Sequence, residues 1–256
     1  MPYTEIMRPQ IPQMGSGEIH QGWPVVVHGA AVAHSFALAR QIAAQGLGRL
    51  CALASVATDY CWEILSAPQE APLDAGSLPR YRVLSEFPLP EPGEGIPFQI
   101  DDWVGSGLDI LAGDAALAAA VQSHHQGMMM EGRFPSFAVI AYTAAIETIG
   151  KKYAPNACSG QQFREALKKI RTSKARQALV RSYDLRSQTA HAGLLHGAEE
   201  LHGSFPGGGW LPEVNQAWFF RLGPVSELRQ ASRELLTMGG MGKIPSTLET
   251  GTTTIA

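Results

Sequence analysis

The stretch YDLRSQTAHAGLLHG, residues 183–197 of a 256-residue chain, closes a helical pattern that runs from Ala175 to Ala192, with Gly193 as its stop. Within it Arg186 precedes His191 with four residues between them. Arginine offers a planar, permanently charged fork that matches phosphate oxygens, and histidine takes or gives a proton near neutral pH. Those two groups suffice for phosphodiester chemistry without a metal: the imidazole moves the proton of a ribose 2′-hydroxyl or a leaving 5′-oxygen, and the guanidinium stabilises the phosphorane. Five residues along an ideal helix turn through about 500°, which leaves the two side chains about 140° apart. They do not share a face. Either the helix loosens ahead of Gly193, or two copies of it face each other in a two-fold dimer, and the dimer gathers both pairs and both basic faces around one cleft.

Working outward, the stretch ends the most basic part of the chain. Lys151 to Ala190 holds ten basic residues against two acidic ones, a local sum of +8 that leaves −11 for the remainder of a chain whose net charge is −3. That asymmetry is the footprint expected of a surface that meets polyanions, and Lys168, Lys169, Arg171, Lys174, Arg176 and Arg181 are its candidate polyanion-binding side chains, the RNA-binding set where that polyanion is RNA. The competing reading is a solvated helix face.

The same half of the chain is helical by pattern. Val104–Gln126 is one expected helix, rich in alanine. Phe134–Tyr153 is the next, with Pro135 at its start, an apolar stripe at Phe137, Ile140, Ala141, Ala144 and Ile146, and Glu147 placed to pair with Lys151 one turn on. Gly160–Arg171 precedes the basic helix, and Val225–Met238 is the last, with Val225, Leu228, Ala231, Leu235 and Met238 at helical spacing. HGSFPGGGW, 202–210, breaks any helix, and the tail 241–256 is small, polar and expected to be disordered.

Residues 1–98 read differently. Met1–Ser16 is an arm, a strand ends at Gly29, Ala31–Ala44 is helical, and strands are expected near Leu50–Val56, Tyr60–Ser66 and Tyr81–Phe87. PLPEPGEGIP, 88–97, holds four prolines and two glycines and marks a domain boundary. The expected class is α+β: a small mixed α/β module over 1–98, then an all-α bundle over 99–240. With 45% hydrophobic and 17% charged residues the chain has material for a core of its own. Cys51, Cys61 and Cys158 are odd in number and lack CxxC spacing, and no apolar leader opens the sequence, so a reducing, cytoplasmic setting is expected. The two most apolar stretches carry Arg40, Arg49, Asp109 and Asp114, so no membrane span is expected.

YDLRSQTAHAG resembles the Arg-x4-6-His signature of the HEPN superfamily, and in particular its Apea-like branch, whose helix ends close to Tyr-x-x-Arg-Ser-x-x-x-His followed by glycine. FAVIAYTAAIETI, 137–149, resembles that group's apolar helix with an acidic residue near its end. The likeness covers roughly 101–238, and Ala192 between the histidine and glycine is its one departure from the commonest form. It implies a helical bundle that dimerises and a metal-independent endoribonuclease of the toxin or phage-defence kind, leaving 2′,3′-cyclic phosphate and 5′-hydroxyl ends. Arg186 and His191 are then catalytic, Glu147 an orienting acid, Ser187 the variable polar residue and Tyr183 a supporting aromatic. RNA and a second copy of the chain are the implied partners, with an antitoxin or sensor partner also in view and no cofactor needed. The alternative is a non-catalytic HEPN module that binds RNA, a nucleotide or a protein.

Ordinary readings stand beside these. Arg186 can pair with Asp184 or Glu147, and His191 can complement a helix C-terminus. His191, His196 and His202 are spaced five and six apart, unlike the i, i+4 pairs of zinc helices, and adjacent His124 and His125 point in different directions. No metal is expected. The glycine runs lack the GxxxxGK[ST] and GxGxxG patterns, so no nucleotide cradle is expected either. Met128, Met129 and Met130 read as packing or interface residues, and Trp218, Phe219 and Phe220 as anchors of the last helix.

Overall fold

The structure, a computed structural model, describes residues 2–10, 25–64, 67–70, 100–132, 134–171, 173–196 and 220–245. The described chain is mostly helical. In chain order it comprises β1 (Pro2–Gln10), β2 (Val25–Ala30), α1 (Phe36–Thr58), β3 (Cys61–Ile64), β4 (Gln69–Glu70), α2 (Trp103–Gly113), α3 (Ala115–Glu131), α4 (Pro135–Tyr153), α5 (Ser159–Leu167), α6 (Ser173–Ala192), a π-helical turn (Arg221–Val225) and α7 (Ser226–Gly240). No single helix among the described residues is long and apolar enough to cross a membrane.

Helix α4 is the hub, packed against α3, α5, α6 and α7. Pro135 sits in its first turn as expected. Its buried positions include Ala138, Val139, Ala141, Tyr142, Ala145, Ile146 and Ile149, which make one wide stripe. Phe137, assigned to the stripe by sequence, is 44% exposed instead. Where α4 crosses α5, a Cβ on Gly150 would run into the backbone of Gln162, so the close approach requires glycine there.

Val104–Gln126 is two helices rather than one. Asp114 breaks it: its carboxylate accepts from Leu117 N at 3.0 Å and caps α3, and α2 and α3 meet at a bend of 120°.

The larger differences lie at the N-terminal end. Leu50–Val56, expected as a strand, is the second half of α1, whose N-cap is Ser35 and whose end is Asp59 at φ 60°. Every residue from Cys51 to Ala57 is buried, so no alternation or stripe distinguishes helix from strand there. The cause is burial on two sides. Ala52, Leu53, Val56 and Ala57 join the main core with α2, α3, α4 and α7, while Cys51 and Ala54 pack with Trp62 and Val27 of the sheet. Pro2–Gln10, read as an arm, is the middle strand of that sheet, antiparallel to β2 on one edge (Tyr3 opposite Gly29) and to β3 and β4 on the other (Met7 opposite Ile64). The expected strand at Tyr81–Phe87, the boundary at 88–97 and residues 246–256 lie outside the described residues.

A part-buried polar latch joins α1 to α7. Arg233 donates to Val56 O and Ala57 O, both at 2.7 Å, satisfying carbonyls that the end of α1 leaves unpaired. Arg229 pairs with Asp59 at 2.9 Å and Glu131 at 3.0 Å, and Glu131 accepts from Tyr142 Oη at 2.5 Å. Burial holds the Glu131 carboxyl above the usual range, against the pull of Arg229.

Candidate active site

Helix α6 presents two chemically distinct faces. Leu179, Ser182 and Thr189 are buried against the bundle, and Arg186 shares that inner face. Its guanidinium stands opposite Glu147 of α4, with Nη2 3.7 Å from Oε2, the two side chains being 22% and 13% exposed. Glu147 therefore reaches across to α6 instead of along α4 to Lys151. Tyr183, one turn before Arg186, places its ring 5.7 Å beneath the guanidinium and donates to Ser159 Oγ at 3.3 Å. Burial, and then the nearby Glu147, raise the Tyr183 phenol above its ordinary range. Arg186 Nε and Glu147 Oε1 make no hydrogen bond within the protein. An arginine held opposite one carboxylate, with its Nε buried and unpaired, is a cation fixed in place.

His191 occupies the outer face. It is exposed, in the last turn of a helix that stays regular through Ala192. Gly193 then turns left-handed at φ 67°, and its N–H bonds to Thr189 O at 3.1 Å in a left-handed cap. The loosening that would swing His191 round to Arg186 is not there. Within one copy the structure brings together Arg186, Glu147 and Tyr183 and leaves His191 apart, with Ser187 half-buried near the outer face.

Beyond the helix end, His196 N donates to Ser136 Oγ at 2.8 Å and its ring lies 5.7 Å from that of Phe220, folding the segment back on the start of α4. Phe134, Phe137, Leu194 and Leu195 are exposed at this end. Phe220 is buried, as an anchor should be, while Trp218 and Phe219 lie outside the described residues.

The basic residues divide into two groups. Arg171 is bound to Glu234 of α7, and Lys169 lies over the Tyr153 ring at 4.7 Å. These two are tied to the bundle. Arg176 and Arg181 of α6 and Lys168 at the end of α5 line a groove of about 460 Å³, together with Arg164, which the sequence reading passed over. Lys174 belongs to α6, but its side chain lies outside those described.

His124 and His125 do diverge. His124 Nδ1 meets Ser232 Oγ at 2.7 Å, and His125 Nε2 meets Trp62 O at 2.7 Å. Among the described residues no three His, Cys, Asp or Glu side chains gather as metal ligands. Sequence reasoning missed the Asp59, Glu131, Tyr142 and Arg229 cluster, because its members belong to four different elements and no local spacing announces them. Comparison with protein-family models, with curated proteins and with solved structures finds no match to this chain.

Proposed function

We propose that this chain is a metal-independent endoribonuclease of HEPN type, whose working site is assembled from two copies of α6. The observation that carries the reading is the division of labour on that helix: Arg186 is fixed on the inner face by Glu147 and Tyr183, while His191 stands exposed at the end. Two such ends facing across a two-fold axis supply an arginine and a histidine to each scissile phosphate. The exposed Phe134, Phe137, Leu194 and Leu195 beside His191 give that contact an apolar rim.

In this reading the His191 imidazole takes the proton of the ribose 2′-hydroxyl, the 2′-oxygen attacks the adjacent phosphorus, and the P–O5′ bond breaks. A proton returned from an imidazolium completes the 5′-hydroxyl. Arg186 meets the added charge of the phosphorane, and Glu147 and Tyr183 orient it. A helical HEPN bundle with the N-terminal α/β part as sensor or recruiting element, acting in a cytoplasmic toxin or defence role, is the architecture and setting this implies. The second reading, a non-catalytic module, draws on the Arg186–Glu147 pair as a purely structural tie between α4 and α6.

The test is cleavage of a mixed single-stranded RNA pool in EDTA by wild type and by His191→Ala. Cleavage giving cyclic phosphate ends that is lost with His191 supports the enzyme. Ends bearing 5′-phosphate, or equal cleavage by both proteins, would overturn it.

A further inference from the structure

We infer that the groove between α5 and α6 is a phosphate-binding channel that holds single-stranded RNA on its way to His191, an assignment that rests on, and deepens, the ribonuclease reading. Four cations surround about 460 Å³: Arg164 and Lys168 from α5 and its end, Arg176 and Arg181 from α6, over an apolar floor that includes Leu167 and Val180. Among the described residues no carboxylate lines it. Glu165 sits beside it and pairs with Lys168 at 2.6 Å, and Asp184 is exposed one turn beyond Arg181. Arg176 donates to Arg171 O at 3.2 Å, which holds its guanidinium at the wall. Like charges crowded around so small a space repel one another, and an anion between them turns that repulsion into binding.

The placement of the groove points to RNA. Arg176, Val180, Asp184, Ser187 and His191 follow one another at steps of four, four, three and four residues, so they lie along one side of α6, with Asp184 the acidic member between the groove and His191. From Arg176 to His191 that side runs about 22 Å at 1.5 Å per residue. A chain lying in the groove is thus led along the helix to the proton-transfer group. The volume is of small-ligand size, and the apolar floor suits the faces of unpaired bases, which a duplex keeps stacked inside itself.

The experiment is fluorescence anisotropy of the full-length protein with a labelled 2′-O-methyl oligoribonucleotide, which offers no 2′-hydroxyl to attack, in EDTA over a series of salt concentrations. Loss of two phosphate contacts lowers the log–log salt slope by about 1.4, at about 0.7 per contact on a single strand. Arg164→Gln/Arg181→Gln is expected to show that fall, and Arg181→Gln alone about half of it. Arg40→Gln/Arg49→Gln, which removes equal charge from exposed positions on α1, should keep the wild-type slope. Wild-type protein that does not bind overturns the proposal. So does a groove variant no weaker than the α1 variant, or competition by polyglutamate as strong as that by RNA, which would mark the groove for an acidic protein. This measurement reads binding alone, so a failure of the catalytic reading shows in cleavage and not here.

Discussion

Glu147 and Arg186 face each other 3.7 Å apart across α4 and α6, each more than three quarters buried. Removing either leaves the other as a charge with little water to solvate it. Arg186→Ala should therefore cost about 1–3 kcal/mol of stability. Adding Glu147→Gln, which removes the stranded charge, should restore much of it. Thermal denaturation reads both effects, and RNA cleavage stays absent in both variants. Equal melting temperatures for the single and double variants would deny the pair its energetic role.

If the site is composite, two inactive proteins should rescue each other. A mixed dimer of Arg186→Ala and His191→Ala holds one site with both residues intact and one with neither. Equal mixing after subunit exchange should thus recover about a quarter of wild-type cleavage, half the dimers being mixed and half their sites whole. No recovery with verified exchange would place both residues in one copy.

Stability should fall on mild acidification. Burial above all, with the charges of Arg229, His125 and Arg233, pushes the His124 imidazole down to about 3, and burial lowers His125 as well. Below the ordinary histidine value of 6.5 the unfolded chain takes up protons that the folded chain refuses. His124 thereby removes about 1.4 kcal/mol per pH unit as pH drops from there, and His125 acts in the same direction. Glu131 works in the opposite sense, since its raised carboxyl gains its proton first in the folded state. Urea unfolding at pH 7.0 and 5.5 should show the loss, and His124→Asn should flatten it. A variant as pH-sensitive as wild type would assign the effect elsewhere.

Gly150→Ala should destabilise the bundle by about 1–3 kcal/mol, because its new methyl group meets the backbone of Gln162 and α5 must move. Ala144→Ser, a comparable change of one atom on a half-buried position of the same helix, should cost less than 1 kcal/mol. Chemical denaturation of the pair separates crowding from helix propensity, since alanine is the better helix former of the two residues at position 150.

How far the sequence could be read depended on how each element is buried. Helices α4, α6 and α7 are buried on one side and bounded by Pro135, Gly193 and their own stripes, so their limits emerged to within a residue or two. Helix α1 lies between bundle and sheet, and its second half carries no periodic signal. Strand β1 hid behind Pro2 and Pro9, which argue against a central strand. At the site, the helical angle between Arg186 and His191 was legible from spacing alone. Glu147 and Asp184 are the two partners the sequence leaves open for Arg186, and the crossing of α4 and α6 decides for Glu147.

The latch between α1 and α7 also dictates an order of events. Arg229 reaches back 170 residues to Asp59, and Arg233 reaches back 177 to Val56, whereas Glu147 and Arg186 belong to neighbouring helices of one short stretch. Closing so long a loop is entropically costly and slow, so the α4–α6 unit can assemble during synthesis while the end of α1 still waits for its arginines. A ribosome that stops before residue 229 leaves the end of α1 without the two arginines that fasten it.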